Sequence, residues 1–181
     1  MATMRLKEIS SEVFKSDEAI IRVSRREIEF LKDRVSSAPR GRVRLCAHAS
    51  NEDLLHEMII VLTQQTYIRP HKHVQKSESF HIIEGTVDVV VLDDDGKVLD
   101  VIELGELASG RQFFYRISQP IFHTLIIRSP ILVVHETTNG PFNRADAIFA
   151  PWSPEEHDPT AKQYLRDLET IVASRVKRSR L

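Results

Sequence analysis

The chain has 181 residues, 41% of them hydrophobic and 28% charged, with a formal net charge of −1. That length suits one domain with terminal extensions and a sizeable core, and the near-neutral charge argues against a dedicated nucleic-acid or membrane-surface protein. Cys46 is the sole cysteine, which excludes an intramolecular disulfide and points to a reducing, cytoplasmic setting.

No apolar run reaches the ~18–20 residues that span a bilayer. The opening MATMRLKEIS lacks the continuous apolar core of a secretory signal. Residues 1–22 are mixed, with Ile9, Val13, Phe14 and Ile20 able to form an added strand or strap. Ser24 followed by Glu27 reads as a capping box. Ile28, Leu31 and Val35 then recur at helical spacing, so a short amphipathic helix is expected from Ser24 to about Ser37. Pro39-Arg40-Gly41 ends it.

From there the texture is that of β-structure. Arg42–Leu45 alternates polar and apolar, and Glu57–Tyr67 is rich in Ile, Val and Thr. Strands are expected at Glu78–Glu84, Gly85–Leu92, Val98–Leu104, Arg111–Ile117, Phe122–Arg128 and Ile131–Thr137. Turns fall at Glu84-Gly85, Asp93–Gly96, Gly105 and Ser129-Pro130, with Asp95-Gly96 a hairpin signal. Short strands at roughly ten-residue spacing indicate an all-β sandwich or barrel. Residues 139–158 read as loop, and Asp158-Pro159 as the start of a final helix to about Val176. Arg175, Lys177, Arg178 and Arg180 form a basic end that suits a helix C-terminus better than a nucleic-acid patch. The expected organisation is an N-terminal extension with a helix (1–40), a barrel (41–140), and a loop plus C-terminal helix packed on it (141–181).

The chemistry concentrates at His71-Lys72-His73, with Glu78 four residues further on and Gly85 six beyond that. In a strand, residues i and i+2 share a face, so His71 and His73 point the same way. If Glu78 opens the next strand facing inward, Phe80 and Ile82 share its face while Ser79, His81 and Ile83 face out. His123 comes from another strand, and pointing it inward brings Leu125 and Ile127 with it. Three imidazoles and a carboxylate suit a divalent first-row ion such as Fe, Mn, Zn or Ni, with positions left for substrate or water.

Other residues carry weaker signals. Arg69 lies two residues before His71, placed to clamp a carboxylate or phosphate, and Tyr115 or Tyr67 offers a phenol as acid or hydrogen-bond donor. His48, His56, His81 and His135 lack ligand spacing and read as structural, with His135 also able to line a pocket. Cys46 reads as a small core residue. Glu136–Pro141 is an end-of-strand turn whose polar groups could reach the barrel mouth. The Asp93–Asp95 run lacks EF-hand spacing, and neither a G-x-S-x-G elbow nor a phosphate-binding glycine loop is present.

The run from His71 to Gly85 resembles the first motif of the cupins, G-x5-H-x-H-x(3,4)-E-x6-G, with Gln65 at the leading glycine. His123 matches the histidine of their second motif, G-x5-P-x-G-x2-H-x3-N, although Ser118, Pro120 and Ile127 replace its proline, second glycine and asparagine. From about Ser37 to Leu168 the chain is similar to the WbuC family of cupin-fold metalloproteins. Pro39–Arg42, His56–Met58, Tyr67–His71, Phe122–Thr124, Glu136–Phe142 and Phe149–Trp152 carry that likeness. The resemblance implies an all-β fold, a single cupin jelly-roll barrel with an N-terminal and a C-terminal helix, and a metal held by His71, His73, Glu78 and His123. It further implies a setting in bacterial surface-polysaccharide biosynthesis and an isomerase or epimerase acting on a sugar or sugar nucleotide, with Arg69 and Tyr115 as candidate catalytic residues. An iron-dependent dioxygenase and a non-catalytic binding module are the alternatives. A homodimer is compatible with such barrels.

Overall fold

Every residue of Phe122–Ile127 is buried, so this strand needs apolar neighbours on both faces. The computed structural model, which describes residues 4–179, supplies them as two facing sheets, each backed by a helix. In chain order the strands are β1 Lys7–Ser10, β2 Val13–Lys15, β3 Arg42–Cys46, β4 Leu55–Thr63, β5 His71–His73 and β6 Glu78–Glu84. They continue as β7 Thr86–Leu92, β8 Val98–Gly105, β9 Phe114–Ile117, β10 Phe122–Ile127, β11 Ile131–Asn139 and β12 Ala147–Phe149. The helices are α1 Arg25–Val35 and α2 Ala161–Ser179.

One sheet runs β1-β2-β3-β4-β11-β6-β9 and the other β12-β5-β10-β7-β8. Their inner faces meet in a core that includes Leu62, Phe80, Ile82, Val89, Leu104, Leu125, Leu132 and Val134. The outer face of the first sheet (Val43, Leu45, Ile59, Val61, Val133) is covered by Leu31 and Val35 of α1, with Phe14. The outer face of the second (Val90, Leu92, Phe122, Ile126) is covered by Leu168 and Val172 of α2. Burial on both faces explains why the central strands are nearly continuous apolar runs.

The capping box of α1 forms as expected. Glu27 Oε2 accepts from the Ser24 backbone N–H at 2.8 Å, and Ser24 Oγ accepts from Arg26 N–H at 3.3 Å. The helix ends at Val35, two residues before Ser37, with the Ser37 and Ala38 amides bonded back to Arg34 and Val35. At the other end, Asp158 Oδ1 accepts from Thr160 N–H at 2.8 Å. That turn precedes α2, which begins at Ala161 and so starts later than Pro159. Arg175 donates to the carbonyls of Val98 and Leu99 on β8. The Lys177 and Arg178 side chains and Arg180, the rest of the expected basic end, lie outside the described residues.

Of the added strand or strap expected within residues 1–22 the strand forms, and a further strand appears where loop was expected. β1 and β2 extend the first sheet beyond β3, and β12, within the 139–158 segment, pairs with β5. Conversely, the run expected to Tyr67 stops as a strand at Thr63, where Gly41 receives the Thr66 hydroxyl on its carbonyl at 2.7 Å. The chain crosses from the first sheet to the second at Gly85 (φ 90°), where a Cβ would lie 2.4 Å from the Ile131 carbonyl oxygen. Only glycine fits that crossing without strain.

Candidate metal centre

His71 and His123 are directly opposite each other across the β5–β10 pair. Glu78 opens β6 on the facing sheet, between Ile117 of β9 and Thr138 of β11. Strand parity therefore aims all four candidate side chains into the barrel. One ligating atom from each of His71, His73, Glu78 and His123 lies within 4.8 Å of every other. The inward set on β6 is Glu78, Phe80 and Ile82, all buried, while His81 and Ile83 are exposed, as the alternation requires.

Hydrogen bonds fix which nitrogens face the centre. His71 Nδ1 is 2.9 Å from the Arg69 carbonyl and His123 Nδ1 is 3.0 Å from that of Ile121. A carbonyl can only accept, so each Nδ1 carries the proton and each Nε2 presents a lone pair, the arrangement typical of metal-binding histidines. His73 Nε2 approaches Glu78 Oε2 at 3.0 Å. The remaining carboxylate oxygen, Oε1, accepts from the Tyr115 hydroxyl at 2.9 Å and lies 3.4 Å from His123 Nε2.

That last contact tests the fit of a cation. His123 Nε2 is buried and has no hydrogen-bond partner among the described residues, although buried polar atoms are nearly always satisfied. With Nδ1 protonated, its lone pair faces a carboxylate oxygen, which is repulsive unless a proton or a positive ion lies between them. A divalent ion would satisfy this nitrogen, the other two imidazoles and the carboxylate together, so the residues fit the metal.

Burial and the close approach of these groups shift their protonation. Burial, with His123 nearby, lowers His71 to about 4, keeping it neutral and able to ligate. Burial raises Glu78, but the His123 and His73 imidazoles facing it outweigh that and hold the carboxyl well below its ordinary range. Burial lowers His123, and the Glu78 carboxylate more than reverses that. Burial and the adjacent Glu78 charge push the Tyr115 phenol well above its usual value, so it remains a donor.

The site opens into a cavity of about 240 Å³ between the sheets, lined by the four candidate ligands, Arg40, Arg42, Arg44, Arg69 and Glu136 among others. Arg69 sits in its wall, held by Ser153 Oγ at 3.3 Å, the Ala150 carbonyl at 3.2 Å and the Phe149 ring at 5.2 Å, with Glu155 at 3.7 Å. Tyr67 is elsewhere, donating to the Pro154 carbonyl at 3.0 Å.

The other histidines stay out of the metal group. His81 packs on Phe113 at 5.5 Å, and His135, its register partner on the outer face, lies 3.6 Å from Glu57. His135 therefore does not line the pocket: its face is shared with Val133, which packs toward α1. His48 and His56 stack at 4.0 Å, and Cys46 is buried.

Sequence reasoning overlooked Arg42 and Arg44 as cavity residues, and it placed Glu136 in an end-of-strand turn at the barrel mouth, whereas Glu136 lies within β11 and lines the cavity. The alternation in Arg42–Cys46 was legible, but its apolar residues face α1 and its arginines face inward, the reverse of an ordinary half-exposed strand. Glu136 follows Leu132 and Val134 on the inward parity of β11, a signal available once β11's core face is known.

Residues 23–104, less than half of the chain, match a family described as "Domain of unknown function (DUF6016)". No curated protein matches the chain. Among solved structures, protein SO0799 from Shewanella oneidensis aligns with a TM-score of 0.53 at 12% identity, covering 71% of this chain and 85% of that one. The fold is an all-β, two-sheet jelly-roll barrel. Oxalate decarboxylase from Bacillus subtilis aligns with a TM-score of 0.46 at 13% identity, over 60% of this chain and 27% of that one. The capsular polysaccharide assembling protein CapF from Staphylococcus aureus reaches 0.44 at 16%, over 54% and 27%. At these identities the likeness concerns architecture, here a single jelly roll with flanking helices. No helix among the described residues is long and apolar enough to cross a membrane.

Proposed function

We propose that the protein is a metal-dependent enzyme acting on a small polar molecule, with isomerase- or epimerase-like chemistry on a sugar or sugar derivative. The observation that carries the metal assignment is the buried, unpartnered His123 Nε2 facing Glu78 among three converging imidazoles. When bound, a divalent ion supplies Lewis-acid polarisation of a carbonyl or hydroxyl. The protein's own residues supply the rest. The Arg69 and Ile121 carbonyls hold two imidazoles in one tautomer, Tyr115 orients the Glu78 carboxylate, and Arg69, its plane preset by Ser153 and Ala150, orients an anionic substituent at the wall.

The cavity limits the substrate. Its roughly 240 Å³ falls below the ~300–1,000 Å³ of pockets for drug-sized ligands. A monosaccharide is of suitable size, and the nucleotide of a sugar nucleotide would have to lie outside the barrel. The WbuC resemblance supports the polysaccharide setting. Iron-dependent dioxygenation is the second reading, favoured by the three-nitrogen, one-oxygen donor set.

Metal analysis of protein purified without chelator, followed by turnover assays on sugars and their derivatives, tests the proposal. Stoichiometric manganese, zinc or nickel with non-redox turnover supports isomerisation, whereas iron with oxygen uptake supports dioxygenation. A full site with no turnover makes the barrel a binding module, and protein that takes up no metal overturns the assignment.

A further inference from the structure

Four arginines line the cavity, and three of them already have a carboxylate. Arg40 pairs with Glu12, Arg42 lies 2.6 Å from Glu156, and Arg69 lies 3.7 Å from Glu155. Arg44 differs. Among the described residues its guanidinium hydrogen-bonds only the Met58 sulfur, at 3.8 Å, and it has no ion-pair partner. Across β4 from it, Glu136 on β11 also faces the cavity, with neither a hydrogen bond nor an ion pair among the described residues. The two do not pair with each other.

A guanidinium and a carboxyl group, each half-buried and without a partner among the described residues, thus face the same cavity as the candidate ligands, where the other arginines are already paired. Their arrangement is that of a receptor awaiting a complementary ligand. Arginine's planar fork matches a carboxylate bidentately. A hydroxyl both donates and accepts, so it satisfies Glu136 in either protonation state. The volume, about 240 Å³, equals roughly eight waters at ~30 Å³ each.

We propose that Arg44 is a second anion-binding residue of the cavity beside Arg69 and that, with Glu136, it selects a small hydroxylated carboxylate, of the size of a sugar acid, over the corresponding neutral sugar. This rests on the metal-site reading above and narrows its substrate class. Neither residue is within the ligand set, so their removal leaves the ion in place.

The test is calorimetric binding of glucuronate and of glucose to metal-loaded protein, with metal content measured first. Wild-type protein is expected to bind the acid at least about tenfold more tightly than the sugar. R44M should weaken acid binding by about ten- to a hundredfold, as expected for loss of a charge-assisted bidentate contact, while glucose affinity and metal content stay within about threefold. R44K, which keeps the charge but not the fork, should fall between. E136Q should weaken both ligands, since both present hydroxyls. An acid bound no more tightly than the sugar by wild-type protein, including binding of neither, overturns the proposal without any variant. So does an R44M protein with full metal content and unchanged acid affinity; were R44M not to fold, an R44K variant that retained the full acid preference would overturn it equally. An acid preference in protein that takes up no metal would instead sink the metal assignment and leave Arg44 standing.

Discussion

Replacing Tyr115 with phenylalanine removes one atom from the network around Glu78 and little else. The ring, packed on Phe80 at 5.3 Å between centroids, stays in place, so the change isolates the hydrogen bond to Glu78 Oε1 at 2.9 Å. Hydrogen bonds to charged groups contribute about 1.5–3 kcal/mol, and each 1.4 kcal/mol is about a factor of ten. Y115F should therefore weaken metal binding by roughly ten- to a hundredfold, the range typical of residues that orient metal ligands. Competition against a chelating fluorophore measures this directly, with thermal unfolding of both proteins confirming the same fold. A Y115F protein binding metal within twofold of wild type would show that Glu78 needs no orienting phenol, and the account of Tyr115 would fail.

Elemental analysis should find most bound metal lost in H71A and in H123A and retained in H81A, because His81 faces out of the barrel; equal loss in all three would refute the parity argument. G85A should cost about 2 kcal/mol or more in urea unfolding, combining a left-handed backbone with a Cβ 2.4 Å from the Ile131 carbonyl oxygen; a cost under about 0.5 kcal/mol would contradict the crossing described. Glu12 gives a pH signature. Burial raises its pKa, but hydrogen bonds and charge from Arg40 prevail and hold it below 4.5. A carboxyl held low stabilises the fold above its ordinary pKa, and that contribution fades as pH falls through the folded value. Wild type should thus exceed E12Q in stability at neutral pH, with the gap closing on acidification below 4.5; a gap that grew in acid would reverse the assignment.

Much of this architecture can be read from local pattern. The capping box at Ser24 and Glu27, the alternation on β6 and the hairpin at Asp95-Gly96 are short-range properties, decided by side chains within a few residues of each other. The four candidate ligands belong to the same class. His71 and His73 share a strand face by period, Glu78 shares one with Phe80 and Ile82, and His123 stands in an apolar run that had to be a strand. Motif spacing carried the rest.

What the sequence could not decide is which face of a strand is inside. Arg42 and Arg44 alternate with Val43 and Leu45, and the usual inference turns such arginines toward water. They point into the barrel because α1 lies over the other side and takes the apolar residues for its own core. His135 and Glu136 pose the same choice one residue apart, settled only by β11 lying between β4 and β6. Likewise, the pairing of β12 with β5 joins residues more than seventy positions apart, and nothing local to Ala147–Phe149 announces it. Period is written in the chain; the inward face is chosen by which distant segment covers the outer one.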